Sequence, residues 1–335
     1  MKEPAKSGRR RLSFVIFTVA ILASLALWLS EREPAYKGKR LSEWLELWGS
    51  SGDEDEMRNA EAAIRQIGTN GIPFLLKWIR YEPRTGKQPM QALVEKLPVR
   101  LRSNRLVYRF MQNRTERRAD EAEMGLAILG PQATSAIPEL TRQMNNYGKT
   151  NCALSAMRSL GCIGSAALPT LMAAAEDQRC PCRFAAVATI AMNFRGTNGL
   201  PALPVLVRCA GDPDPRVGRA SILAMGALKL EPQTIIAALT NRLHDPRPDI
   251  RTAAVYALGA FKEQARELLP VLSEAFKDRD VGVRLEVVAV AEKFKEQIPE
   301  LALLLNEATK DTDQNVRAAA IDAVRSGHDA AQDFE

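Results

Sequence analysis

The feature that most restricts what this chain can fold into is a period. Four segments align without gaps every 33 residues: DPDPRVGRASILAMGAL from Asp212, DPRPDIRTAAVYALGAF from Asp245, DRDVGVRLEVVAVAEKF from Asp278 and DTDQNVRAAAIDAVRSG from Asp311. A fixed period of this length marks a stack of supersecondary units, each burying its apolar face against the next. Every unit opens on Asp and carries a β-branched residue five positions on: Val217, Ile250, Val283 or Val316. Arg251, Arg284 and Arg317 follow directly in three units, and Gly218 stands in the fourth. Apolar residues then recur at helical spacing, as in Ile250, Ala254, Ala257 and Leu258, which predicts one amphipathic helix per unit. The Asp-Pro and Asp-x-Asp openings supply turn and N-cap chemistry, because a carboxylate accepts hydrogen bonds from unpaired first-turn amides. Aromatics are only 6% of residues while Ala and Leu dominate, so the expected class is all-α.

A second helix is expected before each Asp. Counting back nine, six and two positions gives Leu203, Leu206 and Ala210; Ile236, Leu239 and Leu243; Leu269, Leu272 and Phe276; Ala302, Leu305 and Thr309. Upstream, helix pairs recur at looser spacing, marked by GTNGIPFL at 68, GPQATSAIPEL at 130, GCIGSAALPTL at 161 and GTNGLPALPVL at 196. Proline fits the first turn of a second helix, where its missing N–H has no intrahelical partner to lose. The pattern predicts about seven helix pairs and a final single helix over 312–326.

Paired helices with this Asp, Val-Arg and turn-Pro pattern resemble HEAT repeats, including the degenerate bacterial HEAT-like kind also seen in phycobilisome lyase subunits. The likeness covers most of residues 53–326. It implies a right-handed α-solenoid over 53–335 in which Asp212, Asp245, Asp278 and Asp311 with Arg251, Arg284 and Arg317 form a structural ladder between repeats. It also implies a surface for binding another protein. The lyase kinship carries the alternative, a lyase-like enzyme or enzyme subunit.

The N-terminus is organised differently. Residues 1–11 contain Lys2, Lys6, Arg9, Arg10 and Arg11, and precede LSFVIFTVAILASLALWLS, residues 12–30, which no charge interrupts. As a helix this run reaches about 28 Å, enough for a bilayer core. It predicts a transmembrane anchor, or a signal peptide if cleaved, with residues 1–11 cytoplasmic. The repeats would then be extracytoplasmic, periplasmic or exported, on a single-pass membrane protein, or secreted after cleavage. Residues 31–40 are expected to be a linker. Residues 41–52, with Leu41, Trp44, Leu45 and Trp48 on one helical face, are expected to cap the first repeat or to lie on a membrane surface.

Charge is unevenly placed. Residues 1–40 hold nine basic and three acidic residues, the whole of the chain's excess of +6, so net charge gives no argument for nucleic acid as a partner. An insertion over about 81–112 interrupts the repeats. From Lys77 to Arg118 there are twelve basic and three acidic residues. Arg100, Arg102, Arg105 and Arg109 form its basic patch, a candidate site for an acidic protein, an anionic lipid or an anionic envelope polymer.

Catalytic chemistry is thinly represented. His244 and His328 are the two histidines, and no phosphate-cradling glycine loop, metal-binding motif or nucleophile elbow occurs. No catalytic residue, cofactor or metal is therefore assigned. The candidate protein-binding row is the exposed face of the second helices, four and one positions before each Asp: Arg208, Asn241, His244, Glu274, Lys277, Glu307 and Lys310. In RCPCRF, Cys182 falls in the slot of Val217 and Arg183 in that of Arg251. Cys180 and Cys209 fall at the same end of one helix pair and are the preferred disulfide in an oxidising compartment. The resulting expectation is a non-enzymatic, membrane-tethered scaffold that binds a protein outside the cytoplasm.

Overall fold

The computed structural model describes residues 32–80, 114–146, 150–296 and 298–332. Among these, α-helices and short 3-10 turns alternate along the chain, and one small hairpin precedes them. The chain divides into two compact units, Met1–Ala136 and Ile137–Glu335.

In the first unit, β1 (Ala35–Tyr36) pairs antiparallel with β2 (Lys39–Arg40), where the sequence suggests only a linker. The chain then enters α1 (Leu41–Ser50), whose Leu41 and Leu45 are buried. The helix packs on α2 (Glu54–Ile67) and α4 (Arg114–Leu129). Trp44 and Trp48, on the same side of the helix, remain part-exposed. Between α2 and α4 lies α3 (Ile72–Ile79), with proline in its first turn. Its Leu75 packs so closely on Gly125 that a Cβ at Gly125 would lie 2.7 Å from the leucine.

The second unit opens with α5 (Ile137–Met144) and alternates from there: α6 (Thr150–Ile163), α7 (Leu168–Glu176), α8 (Arg183–Asn193), α9 (Leu203–Cys209), α10 (Pro215–Leu228) and α11 (Pro232–Arg242). It closes with α12 (Pro248–Leu258), α13 (Ala265–Ala275), α14 (Val281–Phe294), α15 (Leu301–Ala308) and α16 (Gln314–Gln332). The first helices α6, α8, α10, α12, α14 and α16 stack directly in that order, and each second helix packs on the first helix that follows it. Small residues permit this stacking. A Cβ at Gly226 would lie 3.1 Å from the Cα of Ala257, so the backbones of α10 and α12 nearly touch.

The slots Val217, Ile250, Val283 and Val316 are fully or almost fully buried, as the period predicts. In the second-helix stripe Leu203, Leu206, Leu239, Leu272 and Leu305 are buried as expected, but in three repeats the first position is displaced by one residue. Ile235, Leu268 and Leu301 are buried, whereas Ile236 and Leu269 are half-buried and Ala302 is exposed. Turns after α2, α4 and α6 use Gly68, Gly130 and Gly164 at positive φ; after α10 the same role falls to Lys229, at φ 53°. The final helix runs on to Gln332.

No helix among the described residues is long and apolar enough to cross a membrane. The longest of them, α16, has 19 residues but includes Arg317, Asp322 and Arg325, and a span needs about 20 predominantly apolar residues. The single-pass, extracytoplasmic arrangement expected from the sequence is corrected accordingly. Residues 12–30, on which it rested, lie outside the described residues, as do Arg100, Arg102, Arg105 and Arg109.

Candidate protein-binding face

The turns that join each second helix to the next first helix are built from the repeat's aspartates. In each opening the first Asp turns the chain: Asp212, Asp245, Asp278 and Asp311 each accept the backbone N–H two residues on, at 2.8 to 3.0 Å. Where a second Asp follows, it is the N-cap, as Asp214, Asp280 and Asp313 show. The other carboxylate positions of the first Asp receive arginine. Arg251 donates from Nε and Nη2 to Asp278 at 2.6 and 2.8 Å, and Arg284 does the same to Asp311 at 2.8 and 2.9 Å. Nη1 of Arg251 is spent on Asp245 O at 2.9 Å and Nη1 of Arg284 on Asp278 O at 2.9 Å. One guanidinium therefore ties together the turns of two successive repeats.

The ladder reaches one repeat further upstream, since Arg183 pairs with Asp212. Arg317 donates to Asp311 O and Thr312 O. At Gly218 the rung is filled in a way not expected from the sequence. Asp245 is held by Arg247, only two residues on, at 2.9 and 3.0 Å, and Arg247 reaches back to Asp212 O at 2.9 Å. Burial works against the charged form of Asp278, but the hydrogen bonds from Arg251 and the Asp280 backbone, with the charge of Arg251, together outweigh it and hold the carboxyl below its usual range. For Asp245 and Asp311 the arginine hydrogen bond is the largest effect, and both lie below the usual range as well.

On this framework the row of candidate residues reaches solvent throughout: Arg208, Asn241, His244, Glu274, Lys277, Glu307 and Lys310 are all exposed or part-exposed. Arg208 pairs with Glu176 of the preceding repeat at 2.5 Å, and Lys277 with Glu274 at 3.1 Å. Three members, His244, Glu274 and Lys277, converge on a groove of about 400 Å³ between the end of α11 and α13. Its apolar lining is Leu243, Pro270, Val271 and Ala275, and Thr240 and Asp278 complete its polar wall. Asp278 is the carboxylate that Arg251 clamps, so the ladder fixes one wall of the groove. At the preceding junction the position equivalent to Ala275 is Arg242, whose guanidinium lies against Gly211. The small side chain of Ala275 leaves that space open, a signal present in the sequence at the third residue before each Asp.

The groove offers an imidazole, a carboxylate, an ammonium and a hydroxyl around an apolar floor, which suits recognition by shape and hydrogen bonding. No cluster of His, Cys, Asp or Glu among the described residues could hold a metal ion. The preferred disulfide is also corrected. Cys180 and Cys209 are both buried and unbridged; the Cys209 thiol turns toward α7 and donates to Ala175 O at 3.7 Å. Burial, then the charges of Asp212 and Glu176, push that thiol up to about 11. Cys182 is buried at the start of α8, as its slot requires.

Residues 236–325 match the family model of HEAT repeats. No curated protein matches the chain. Among solved structures it is similar to a designed armadillo repeat protein, at 19% identity over 56% of this chain and 98% of that one, TM-score 0.39. It is also similar to the karyopherin Kap121p bound to the extreme C-terminus of the protein phosphatase Cdc14p, at 13% identity over 87% of this chain and 38% of that one, TM-score 0.48. A third likeness is to Kap95p in a study of its binding to RanGDP, at 13% identity over 84% of this chain and 45% of that one, TM-score 0.43. The chain spans less than half the length of both karyopherins, and no functional assignment rests on these alignments. The comparisons lend no support to the phycobilisome-lyase kind.

Proposed function

We propose that this protein is a non-catalytic interaction scaffold that binds another protein along the exposed second-helix row of its second unit, centred on the groove between α11 and α13. The observation that carries the reading is the convergence of His244, Glu274 and Lys277 on one apolar-floored groove whose wall is clamped by the Arg251 to Asp278 pair. Stacked helix pairs give an extended, rigid surface on which such a groove keeps its shape, which lowers the cost of ordering it on binding.

The test uses a photo-crosslinking residue introduced singly at Asn241, His244 and Glu274, with Tyr256 on the exposed side of α12 as the control position. The reading expects one discrete protein adduct from the row and none from Tyr256. It further expects that adduct to vanish when Ala275→Arg fills the groove, a substitution that copies Arg242 of the preceding repeat. Equal adducts from row and control, or an adduct unaffected by Ala275→Arg, would refute it.

A further inference from the structure

A second recess, open to solvent, is lined in the first unit by the hairpin, α1 and α2, with a volume of about 410 Å³. The hairpin turns on Lys37 and Gly38, both at positive φ, 47° and 79°. Consecutive left-handed residues match the twist of the flanking strands and make the turn tight. It returns Lys39 directly opposite Tyr36. The Trp44 indole Nε1 then donates to Tyr36 O at 3.0 Å, which fixes the ring of α1 against the hairpin.

This aromatic wall holds two ammonium groups. Lys39 Nζ lies 5.0 Å from the centre of the Trp44 ring and Lys37 Nζ lies 5.5 Å from that of Tyr36. Cation–π contact settles each lysine on a ring face while its N–H donors stay free to meet an anion. Leu47 and Ala63 give the recess an apolar floor, and Asn59 adds an amide on the side of α2. Glu56, the carboxylate of the lining, already accepts from Ser51 Oγ at 2.8 Å. The lining therefore has net positive charge beside an apolar floor. An inorganic anion or a nucleic-acid backbone would meet the lysines but leave that floor wet, whereas an acidic peptide with an aliphatic side chain satisfies both.

We propose that this recess binds a short acidic peptide segment of a partner protein, with carboxylates on Lys37 and Lys39 and an aliphatic side chain on the Leu47 and Ala63 floor. The site is separate from the groove of the second unit, and its test does not depend on that reading.

The experiment titrates the full chain with fluoresceinyl-Asp-Leu-Glu-Asp-amide by fluorescence anisotropy at low salt, with the unlabelled acetyl-Asp-Leu-Glu-Asp-amide as competitor. The neutral analogue acetyl-Asn-Leu-Gln-Asn-amide and inorganic phosphate are the comparison ligands. Saturable submillimolar binding of the acidic peptide is expected. Lys37→Glu with Lys39→Glu should weaken it by about tenfold or more, roughly 1.4 kcal/mol. Ala62 also lines the recess, and Ala62→Trp, which occupies it without changing its charge, should weaken binding similarly, with unchanged circular dichroism showing that both variants fold. Equal binding of the neutral peptide, full competition by equimolar phosphate, or wild-type affinity in either variant would overturn the proposal.

Discussion

Removing the carboxylate of Asp278 tests whether the aspartate and arginine ladder holds the repeats together. Arg251 is 6% exposed and Asp278 13%, so water cannot replace the lost partner. Asp278→Ala leaves a buried guanidinium without its two charge-assisted bonds, a change that costs about 3–5 kcal/mol. Asp278→Asn keeps an oxygen for the Asp280 N–H, which Asp278 accepts at 2.8 Å, but loses the charge and turns an amide N–H toward Arg251 Nε, from which Oδ2 now accepts, so about 1.5–3 kcal/mol is expected. The double variant Arg251→Met with Asp278→Leu removes both charges and should recover much of the loss, leaving about 1 kcal/mol for the missing turn bond and about 1 kcal/mol for the bond from Arg251 to Asp245 O. Urea unfolding followed by circular dichroism gives the energies. Amide exchange locates the effect, which should concentrate in α12, α13 and α14 because each repeat is stabilised mainly by its neighbours. A cost below about 1 kcal/mol for Asp278→Ala, or strict additivity of Arg251→Met and Asp278→Leu measured singly and together, would show that the pairs are ornament on an apolar stack.

Three other perturbations address particular residues. Lys229→Gly relieves the left-handed backbone after α10 and should stabilise the protein by about 1 kcal/mol in thermal melts, while Lys229→Ala gains nothing. Acid should destabilise the second unit. Asp245, Asp278 and Asp311 have depressed folded-state values, so their stabilisation is fully present above the unfolded carboxylate value of about 4 and is lost as pH falls through the lower folded values. Urea midpoints taken from pH 6 to pH 3 should fall, and a flat profile would contradict the ladder. Cys209, with its thiol pushed up to about 11, should resist alkylation at pH 8 in the native protein and react once denaturant exposes it.

The sequence carries the architecture because its period ties several kinds of evidence to one register. Turn aspartates, buried β-branched slots and ladder arginines all sit at fixed offsets, and Arg183 was assignable to the ladder from register alone. Helix rotation was less legible. Ile235 with Ile236, and Leu268 with Leu269, are adjacent apolar pairs, so either member could face the core until neighbouring helices decide. The hairpin at 35–40 has strands of two residues, too short to show alternation. The candidate row was legible as a row because its residues keep a constant distance from each Asp. The groove was harder to read: its one signal is the exchange of Arg242 for Ala275 between successive repeats, and the space that opens depends on how α11 and α13 pack. The direction in which a thiol points is absent from a sequence altogether, and the expected bridge between Cys180 and Cys209 failed on that point.

The arginines follow a rule that the alignment displays but does not explain. Where a repeat supplies an arginine after its buried slot, as with Arg183, Arg251 and Arg284, the next turn carries Asp two residues beyond its first Asp: Asp214, Asp280 and Asp313. Where it does not, at Ala153 and Gly218, that position is arginine: Arg179 and Arg247. Both arginines pair with the first Asp of their own turn. A buried carboxylate must be paired, and the pairing comes from the preceding repeat or from the same turn. Arg247→Asp alone should therefore destabilise by about 2–4 kcal/mol, because it removes the partner of Asp245, whose side chain is 6% exposed, and adds a like charge beside it. Adding Gly218→Arg should recover much of that loss by supplying the missing rung from the preceding repeat, while the new Asp caps α12, which now lacks a side-chain cap. The new Cβ would lie 3.2 Å from the backbone oxygen of Ala210 and 3.3 Å from the methyl end of Ile250, both of which must give slightly, so recovery should be incomplete. Urea midpoints of the single and double variants decide the matter: a double variant no more stable than Arg247→Asp would show that the alternation is coincidence.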